Sequence, residues 1–253
     1  MLAGIKDILI ICRKDDIKRF EDLFGKGHKF GINISYEVQK YPGGIAEAFI
    51  IGKDFIGEDN VCLVLGDNIF YGNDLKNNLK RAVVNLNDSK ATIFGHYVND
   101  ANRFGIVEFD GNGSVVSIEE KPSNPKSNYA VVGLYFYPND VVDIVKKIKP
   151  SKRNELEITD INNEYLSMNR LNIITFGRGF TWLDTGTFEA LSEASMFVKM
   201  VENHQGLKIS CLEEIAYNNG WITKEELIIV GKTMANNQYG KHLLNVADGK
   251  VNY

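Results

Sequence analysis

The chain has 253 residues, of which 44% are apolar and 25% are charged, so it can form one large domain or two small ones around a sizeable core. Its 29 Lys and Arg residues are outnumbered by 33 Asp and Glu residues, and the net charge of -4 argues against a protein that coats nucleic acid. The longest apolar runs are too short to cross a bilayer, and Lys6 and Asp7 interrupt the one candidate signal peptide, which predicts a cytoplasmic protein without a membrane partner.

Strand and helix patterns alternate through the first hundred residues. Short apolar runs typical of buried strands are separated by segments whose apolar residues recur at helical spacing. This alternation predicts a mostly parallel sheet that is covered by helices on both faces. The predicted strands are Asp7–Cys12, 33–39, 61–65 and 91–98, and the predicted helices are Lys14–Phe24, 45–55 and 74–86.

The pattern changes after residue 100. The turn Asp110-Gly111-Asn112-Gly113 predicts a hairpin between 104–109 and Val115–Glu120. Strands are predicted next at Tyr129–Tyr137 and 171–176, and helices at 139–147, at 155–168 and after the run WLDTGT. We therefore predict a Rossmann-like α/β fold with a mixed, mostly parallel sheet, an antiparallel insert and a helical tail at about 203–253, all in one domain over 1–253.

The three cysteines, Cys12, Cys62 and Cys211, form no CxxC motif. An odd number of cysteines without such spacing disfavours a disulfide scaffold, a redox motif or a structural zinc motif. We interpret all three as buried, inert thiols.

Two aspartates stand where a metal ion could be held. Asp67 follows the predicted strand 61–65 through a glycine, and in open α/β sheets ligands bind beyond the carboxyl ends of the strands. Asp184 precedes the helix after WLDTGT, and Thr187 stands closer to the helix and could cap it instead. Two carboxylates together with substrate phosphates are the usual ligands of Mg²⁺, although either residue could instead serve only its own turn.

Other polar residues could contact a phosphate or a base. Lys121 follows Glu120 at the end of the hairpin and could neutralise a phosphate, or could belong to an exposed charge cluster. Arg153 is a second phosphate candidate, and the alternative is a surface arginine that flanks a helix, as is common for arginine. Gln39 and Gly44 lie in the loop QKYPGG, where an amide could read a base edge and glycine permits close approach, unless the loop is merely a connection. Neither a GxGxxG nor a P-loop motif occurs.

Five runs in a fixed order resemble one family. The runs are VLGDNIFYG, FGIVEFD, SIEEKPSNPKSNYAVVGLYFY, ELEITDIN and WLDTGT. Together they closely resemble the glucose-1-phosphate thymidylyltransferases, which are sugar-nucleotide pyrophosphorylases of the dTDP-rhamnose pathway. The resemblance extends from Met1 to near the C-terminus and implies the sheet of nucleotide-diphospho-sugar transferases.

The resemblance implies a reaction and a set of residues for it. The phosphate of glucose 1-phosphate would attack the α-phosphorus of dTTP, giving dTDP-glucose and pyrophosphate, with Mg²⁺ as cofactor. The family also implies a homotetramer. The residues carried over by motif are Asp67 and Asp184 for Mg²⁺, Gln39 and Gly44 for the thymine, Asn68, Gly105, Glu120 and Val131 for the sugar and its neighbourhood, and Lys121 and Arg153 for the sugar phosphate.

Two departures from the family pattern affect these expectations. Phe104 stands where the family usually has tyrosine, and we expect a modest effect. The family also begins with a strand and a Gly-Gly-x-Gly-Thr-Arg loop, whereas Met1–Gly4 resembles the last turn of a helix. Loss of that loop from a phosphoryl-transfer site would lower the rate by about 10³-fold or more, so we expect weak or no activity from the chain as written.

Alternatives to a catalytic thymidylyltransferase remain open at this point. One is a non-catalytic sugar-nucleotide-binding or regulatory protein, which calorimetry would reveal as dTDP-sugar binding without turnover. Another is a truncated gene model, which the DNA upstream of Met1 would reveal. The base preference between dTTP and UTP is also left open, since Gln39 could serve either. A glycosyltransferase is a more distant possibility because the DxD metal motif is missing.

Overall fold

The computed structural model describes residues 1–251, so the last two positions of the predicted tail lie outside the described residues. Its contacts divide the chain into two compact units, which are described separately below. One unit comprises Met1–Ile10, Asp15–Tyr36 and the described residues from Thr185, and the other comprises Ile11–Lys14 and Glu37–Asp184. The assignment of 1–253 to one domain stays a prediction.

Several predicted elements have the expected bounds, among them the first strand and the first helix. In chain order the strands are β1 (Asp7–Cys12), β2 (Asn33–Val38), β3 (Val61–Val64), β4 (Asn68–Tyr71), β5 (Ala91–Tyr97), β6 (Gly105–Phe109), β7 (Val115–Glu120), β8 (Tyr129–Tyr137), β9 (Leu171–Thr175) and β10 (Thr181–Asp184). The helices are α1 (Lys14–Phe24), α2 (Ala48–Ile51), α3 (Lys53–Ile56), α4 (Leu75–Asn87), α5 (Val141–Ile144), α6 (Ile158–Ser167), α7 (Phe188–Gln205), α8 (Leu212–Asn218), α9 (Lys224–Thr233) and α10 (Gln238–Ala247).

A six-stranded mixed sheet forms the framework of the unit Glu37–Asp184. Its strand order is β7-β6-β8-β5-β9, and β3 pairs with β8 as well. The pair β5–β9 is parallel, whereas β3, β5 and β6 all join β8 in antiparallel register and β6–β7 is the predicted antiparallel hairpin. Eight of the nine residues of β8 are buried, because neighbouring strands and helices cover the central strand. The predicted mixed α/β class with an antiparallel insert is confirmed. The prediction that the sheet is mostly parallel is wrong, because β5–β9 is the one parallel pair among the described pairs of this sheet, and the central strand β8 joins its neighbours in antiparallel register.

Two predicted helices are shorter than their periodicity indicates. The segment 45–55 divides into a 3-10 turn at Ile45–Glu47 followed by α2 and α3, and Gly52 stands between these two helices. Residues 155–157 precede α6 and do not belong to it. Leu156 instead donates its N–H to Gly43 O (2.7 Å) and accepts from the N–H of Ala46 (3.2 Å). These backbone bonds with a distant loop hold residue 156 outside the helix, and an apolar period cannot reveal them.

A short antiparallel pair, β4–β10, was not predicted from the sequence. Tyr71 lies opposite Thr181 at one end of the pair, and Asn68 lies opposite Asp184 at the other. Each strand has only four residues. This pair fixes the relative positions of the two aspartate-bearing segments.

The other unit contains the helical C-terminal region. The side chain of Thr187 accepts from the backbone N–H of Ala190 (3.1 Å), so Thr187 caps α7, as the sequence predicts. Residues of α8, α9 and α10 pack with Phe30, Ile32 and Ile34 in an apolar cluster. Within residues 1–251, no helix is long and apolar enough to cross a membrane.

Candidate active site

Asp67 and Asp184 lie at the same end of the β4–β10 pair. Asp184 is the last residue of β10 and lies opposite Asn68, whose chain predecessor is Asp67. Asp67 is exposed, and the side chain of Asp184 is 24% exposed. Partly hydrated carboxylates on neighbouring strands match the oxygen ligands of a hard cation that keeps some of its water. The two predicted metal ligands, far apart in sequence, are therefore brought together.

Asn68 joins the two strands to the central sheet. Its Oδ1 accepts from the indole N–H of Trp182 on β10 (2.7 Å) and from the backbone N–H of Gly133 on β8 (3.1 Å). Its Nδ2 donates to Asp67 Oδ1 (2.8 Å). Both ends of the amide are thus used inside the protein, which orients the carboxylate of Asp67. This positioning role was not foreseen, since the family pattern implies only a contact with the sugar.

Gly133 is a further residue that the sequence interpretation missed. A Cβ at this position would lie 2.6 Å from Asn68 Oδ1 and 2.7 Å from the side chain of Leu65. Real carbon atoms do not approach so closely, so only glycine allows β8 to contact the asparagine. The signal in the sequence is a single glycine in a strand otherwise rich in large residues.

Arg103 and Trp182 connect the aspartate pair to the hairpin end. Arg103 Nη2 lies 4.0 Å from Asp184 Oδ2, and its guanidinium lies 5.5 Å from the ring centre of Phe104. The ring of Phe104 packs edge-on against Trp182 with a centre-to-centre distance of 5.0 Å. The ring of Phe104 is thus packed against Trp182, and Gly105, the next residue, begins β6.

Glu120 lies on the hairpin beside Gly105. The two residues are direct partners in the β6–β7 ladder, and a Cβ on Gly105 would come within 3.3 Å of Glu120 Oε2. Thr159 at the start of α6 donates its hydroxyl to Glu120 Oε2 (2.6 Å). The carboxylate is therefore held in place while a quarter of the side chain stays exposed. An ionised carboxylate fixed in this way can only accept hydrogen bonds, as the recognition of sugar hydroxyls requires.

Arg153 is surrounded by carboxylates. Its Nη2 lies 2.8 Å from Glu157 Oε2, 3.3 Å from Glu155 Oε2 and 3.4 Å from Glu120 Oε1. The hydrogen bond to Glu157 raises the pKa of Arg153, and burial opposes that shift. Three neighbouring acids already offset its charge, so in this arrangement Arg153 orients Glu120 as well as offering a cation. Its contact with a sugar phosphate stays a prediction.

Two other predicted residues have environments that the sequence did not indicate. Lys121 is exposed and has a φ of 45°, a left-handed conformation that is uncommon for a side chain of this size. Its N–H donates to Phe104 O (3.0 Å), which closes the hairpin end beside the aromatic contact. Val131 is 8% exposed, and its side chain packs in the hydrophobic core of this unit.

The loop with Gln39 and Gly44 is attached to the same region. Gln39 Nε2 donates to Glu47 Oε2 (2.7 Å) and to Gly44 O (3.3 Å), which fixes the orientation of the amide. The loop is bonded to Leu156, which directly precedes Glu157, the strongest partner of Arg153. A continuous series of contacts therefore joins the loop, the arginine and Glu120.

Replacement of Gly44 by alanine is expected to destabilise this loop. Gly44 has a φ of 97°, and a Cβ would lie 2.3 Å from the carbonyl oxygen of Leu156. Strain of this kind costs about 1 to 3 kcal/mol before the clash is counted, so we expect a loss of at least about 2 kcal/mol in the free energy of unfolding. Urea denaturation measures it. Gly111→Ala is the matched control, since a Cβ there meets nothing within 4 Å, and equal stability of both variants would contradict the assignment.

Comparison with known proteins identifies relatives of the chain. The model of the Nucleotidyl transferase family matches residues 1–200. A glucose-1-phosphate thymidylyltransferase from Neisseria meningitidis serogroup A is 55% identical over 246 residues, covering 97% of this chain and 85% of the relative. One from Xanthomonas campestris pv. campestris is 48% identical over 247 residues, covering 98% and 83%.

A solved structure has a similar fold. It is a protein from Bacillus anthracis in complex with sucrose, and its identification as a glucose-1-phosphate thymidylyltransferase is provisional. It is 37% identical, covers 77% of each chain and superposes with a TM-score of 0.69. The mixed sheet and the helices around it are thus those of a known nucleotidyltransferase architecture.

Proposed function

Because the chain belongs to the Nucleotidyl transferase family, and within it to the glucose-1-phosphate thymidylyltransferases, we propose that it transfers a thymidylyl group from dTTP to glucose 1-phosphate. An oxygen of the sugar phosphate attacks the α-phosphorus, the bond to the bridging oxygen of the β-phosphate breaks, and pyrophosphate leaves. The products are dTDP-glucose and pyrophosphate. The observation that carries the proposal is the pairing that places Asp184 opposite Asn68, next to Asp67.

The two aspartates fit Mg²⁺ by the chemistry of their donors. Asp67 and Asp184 offer carboxylate oxygens at one end of the β4–β10 pair, and Mg²⁺ in proteins is held by one or two carboxylates, waters and substrate phosphates. When bound, the ion would neutralise charge that develops on the phosphates. The amide of Asn68 keeps the carboxylate of Asp67 in the orientation that the site needs.

The remaining residues act by positioning the substrates. The nucleophile is already an anion, so no general base is required, and alignment together with charge neutralisation supplies the rate. Glu120 accepts hydrogen bonds from sugar hydroxyls, while Thr159 and Arg153 hold its carboxylate. Lys121 supplies a positive charge for the sugar phosphate, and Gln39 contacts the base from its loop.

Pyrophosphate release from dTTP and glucose 1-phosphate tests the proposal. We expect Mg²⁺-dependent release that is faster with dTTP than with UTP. Binding of dTDP-glucose in a calorimeter without any pyrophosphate release would instead favour the non-catalytic alternative. The place in a dTDP-rhamnose pathway, the tetramer, the cytoplasmic location and the weak activity remain predictions.

Replacement of Glu120 by glutamine is expected to raise the KM for glucose 1-phosphate by about 10- to 100-fold, the range that corresponds to losing a hydrogen bond to a charged group. Glutamine retains the volume and can still accept from Thr159, so the KM for dTTP should change little. Steady-state kinetics with each substrate varied in turn measure the difference. Glu119→Gln, on the adjacent exposed residue of β7, is the control. Equal changes in both KM values would contradict a sugar-specific role.

A further inference from the structure

The unit that contains the helical C-terminal region has a buried cluster of side chains of the types that bind metal ions, and the proposed transfer reaction uses none of them. Cys211 directly precedes α8, Glu214 lies in the first turn of that helix, and His242 lies on α10. The Sγ of Cys211, a carboxylate oxygen of Glu214 and a ring nitrogen of His242 are all within 4.8 Å of one another. The three residues are 1%, 1% and 5% exposed. Water is therefore largely excluded from their polar atoms.

The spacing on α8 explains why two of these side chains meet. Cys211 and Glu214 are three positions apart, and residues at this separation lie on the same side of a helix. His242 approaches them from α10, and its Nε2 is 2.7 Å from Glu214 Oε2. The thiol of Cys211 donates to the hydroxyl of Tyr239 (3.3 Å), which in turn donates to the carboxylate of Glu213.

One atom of the cluster has no partner. Glu214 Oε1 is buried and accepts no hydrogen bond from any group within residues 1–251. A carboxylate has about four acceptor positions, and a buried oxygen without a donor costs about 1 to 3 kcal/mol or more. Glu213 is also buried, with 8% exposure, and it adds a second acidic group beside the cluster. A cation inside the cluster would satisfy the oxygen and offset the charge.

We propose that Cys211, Glu214 and His242 form a binding site for a zinc-class divalent cation. Sulfur, imidazole and carboxylate ligands together select Zn²⁺ or Co²⁺ over Mg²⁺ or Ca²⁺, which prefer oxygen alone. The second oxygen of Glu214, which has no other partner, completes the coordination. Typical Zn–S and Zn–N bonds place two ligand atoms about 3.3 to 3.8 Å apart, so His242 and Glu214 must separate by a fraction of an ångström.

Binding exchanges a proton for the metal ion. Before the ion enters, the thiol of Cys211 keeps its proton, which it donates to the hydroxyl of Tyr239. The ion displaces this proton to solvent, and the resulting thiolate together with the Glu214 carboxylate carries two negative charges that balance a divalent cation. No local sequence motif predicts the site, because its ligands come from the start of α8 and from α10, almost thirty residues later.

Cobalt titration tests the site directly, because Co²⁺ bound to thiolate absorbs in the near ultraviolet and Co²⁺ bound by oxygen alone does not. The wild-type chain should bind one equivalent with this thiolate band, and added Zn²⁺ should remove the band. Cys211→Ala should abolish the band, whereas Cys62→Ala, which removes a half-buried thiol of β3, should retain it. His242→Gln and Glu214→Gln should each weaken Co²⁺ binding by at least about tenfold, because loss of even a residue that only hydrogen-bonds to a metal ligand weakens metal affinity by that much.

The outcome does not depend on the proposed transferase activity. A thermal melt should show Zn²⁺ stabilising the wild-type chain and Cys62→Ala but not His242→Gln. If Cys211→Ala fails to fold by circular dichroism, His242→Gln and Glu214→Gln decide the matter with the same two readouts. Absence of the thiolate band in folded wild-type protein would overturn the proposal. So would a band that survives in folded Cys211→Ala or disappears in Cys62→Ala.

Discussion

Replacement of Asp67 by asparagine is expected to lower Mg²⁺-dependent turnover by about 10³-fold or more, because a divalent ion contributes several kcal/mol to charge stabilisation in phosphoryl transfer. Asparagine has nearly the same shape and can still accept from Asn68 Nδ2. Asp67 is exposed, so the free energy of unfolding should stay within about 0.5 kcal/mol of the wild type.

Pyrophosphate release at a series of Mg²⁺ concentrations measures this effect. Asp54→Asn is the matched control, since Asp54 is an exposed aspartate of α3 in the same unit. The control should follow the wild-type dependence on Mg²⁺. A wild-type rate from Asp67→Asn at low Mg²⁺ would remove this residue from the metal site.

Replacement of Asn68 by alanine should have the second largest effect, on both stability and turnover. It leaves the N–H groups of Gly133 and Trp182 without their acceptor, at about 1 to 1.5 kcal/mol each in this half-buried position. It also releases the carboxylate of Asp67. We expect a loss of about 2 to 3 kcal/mol in unfolding free energy and of about 10- to 100-fold in turnover, as for other groups that orient a metal ligand.

Urea denaturation and saturating-substrate kinetics separate the two effects. Trp182→Phe removes one of the donors but keeps the amide beside Asp67, so it should lose less turnover than Asn68→Ala. Asn87→Ala, at an exposed position of α4, should behave as wild type in both measurements. A stable Asn68→Ala with unchanged turnover would show that the three hydrogen bonds do not position Asp67.

The sequence predicts those elements that depend on local pattern. The first strand, the first helix, the hairpin and Tyr129–Tyr137 agree with the structure because their apolar periods and turn residues are local signals. The helix predicted at 45–55 failed at Gly52, and the one at 155–168 failed because Leu156 bonds to the loop at Gly43. The break at Gly52 is local, since glycine has a low helix propensity, whereas at Leu156 tertiary hydrogen bonds override propensity.

The sequence motifs name candidate site residues, but they do not show which contacts hold those residues in place. The motifs name both aspartates, whereas the β4–β10 pair that brings them together has four residues per strand and joins segments more than a hundred positions apart. The partners of Asn68 lie 65 and 114 positions away, so no local pattern could reveal its role. Arg153 was predicted as a phosphate contact or a surface arginine, yet three carboxylates that contact it come from two separate segments.

A double-mutant cycle on Asp67 and Asp184 tests most directly whether the two residues hold one Mg²⁺ for nucleotidyl transfer. Pyrophosphate release from dTTP and glucose 1-phosphate is measured for the wild type, Asp67→Asn, Asp184→Asn and the double variant, under single-turnover conditions that make low rates measurable. If both carboxylates bind one ion, each single change removes most of the rate, and the double variant stays within about threefold of the slower single variant. Losses that multiply in the double variant, or a single variant with wild-type Mg²⁺ dependence, would contradict a shared metal site.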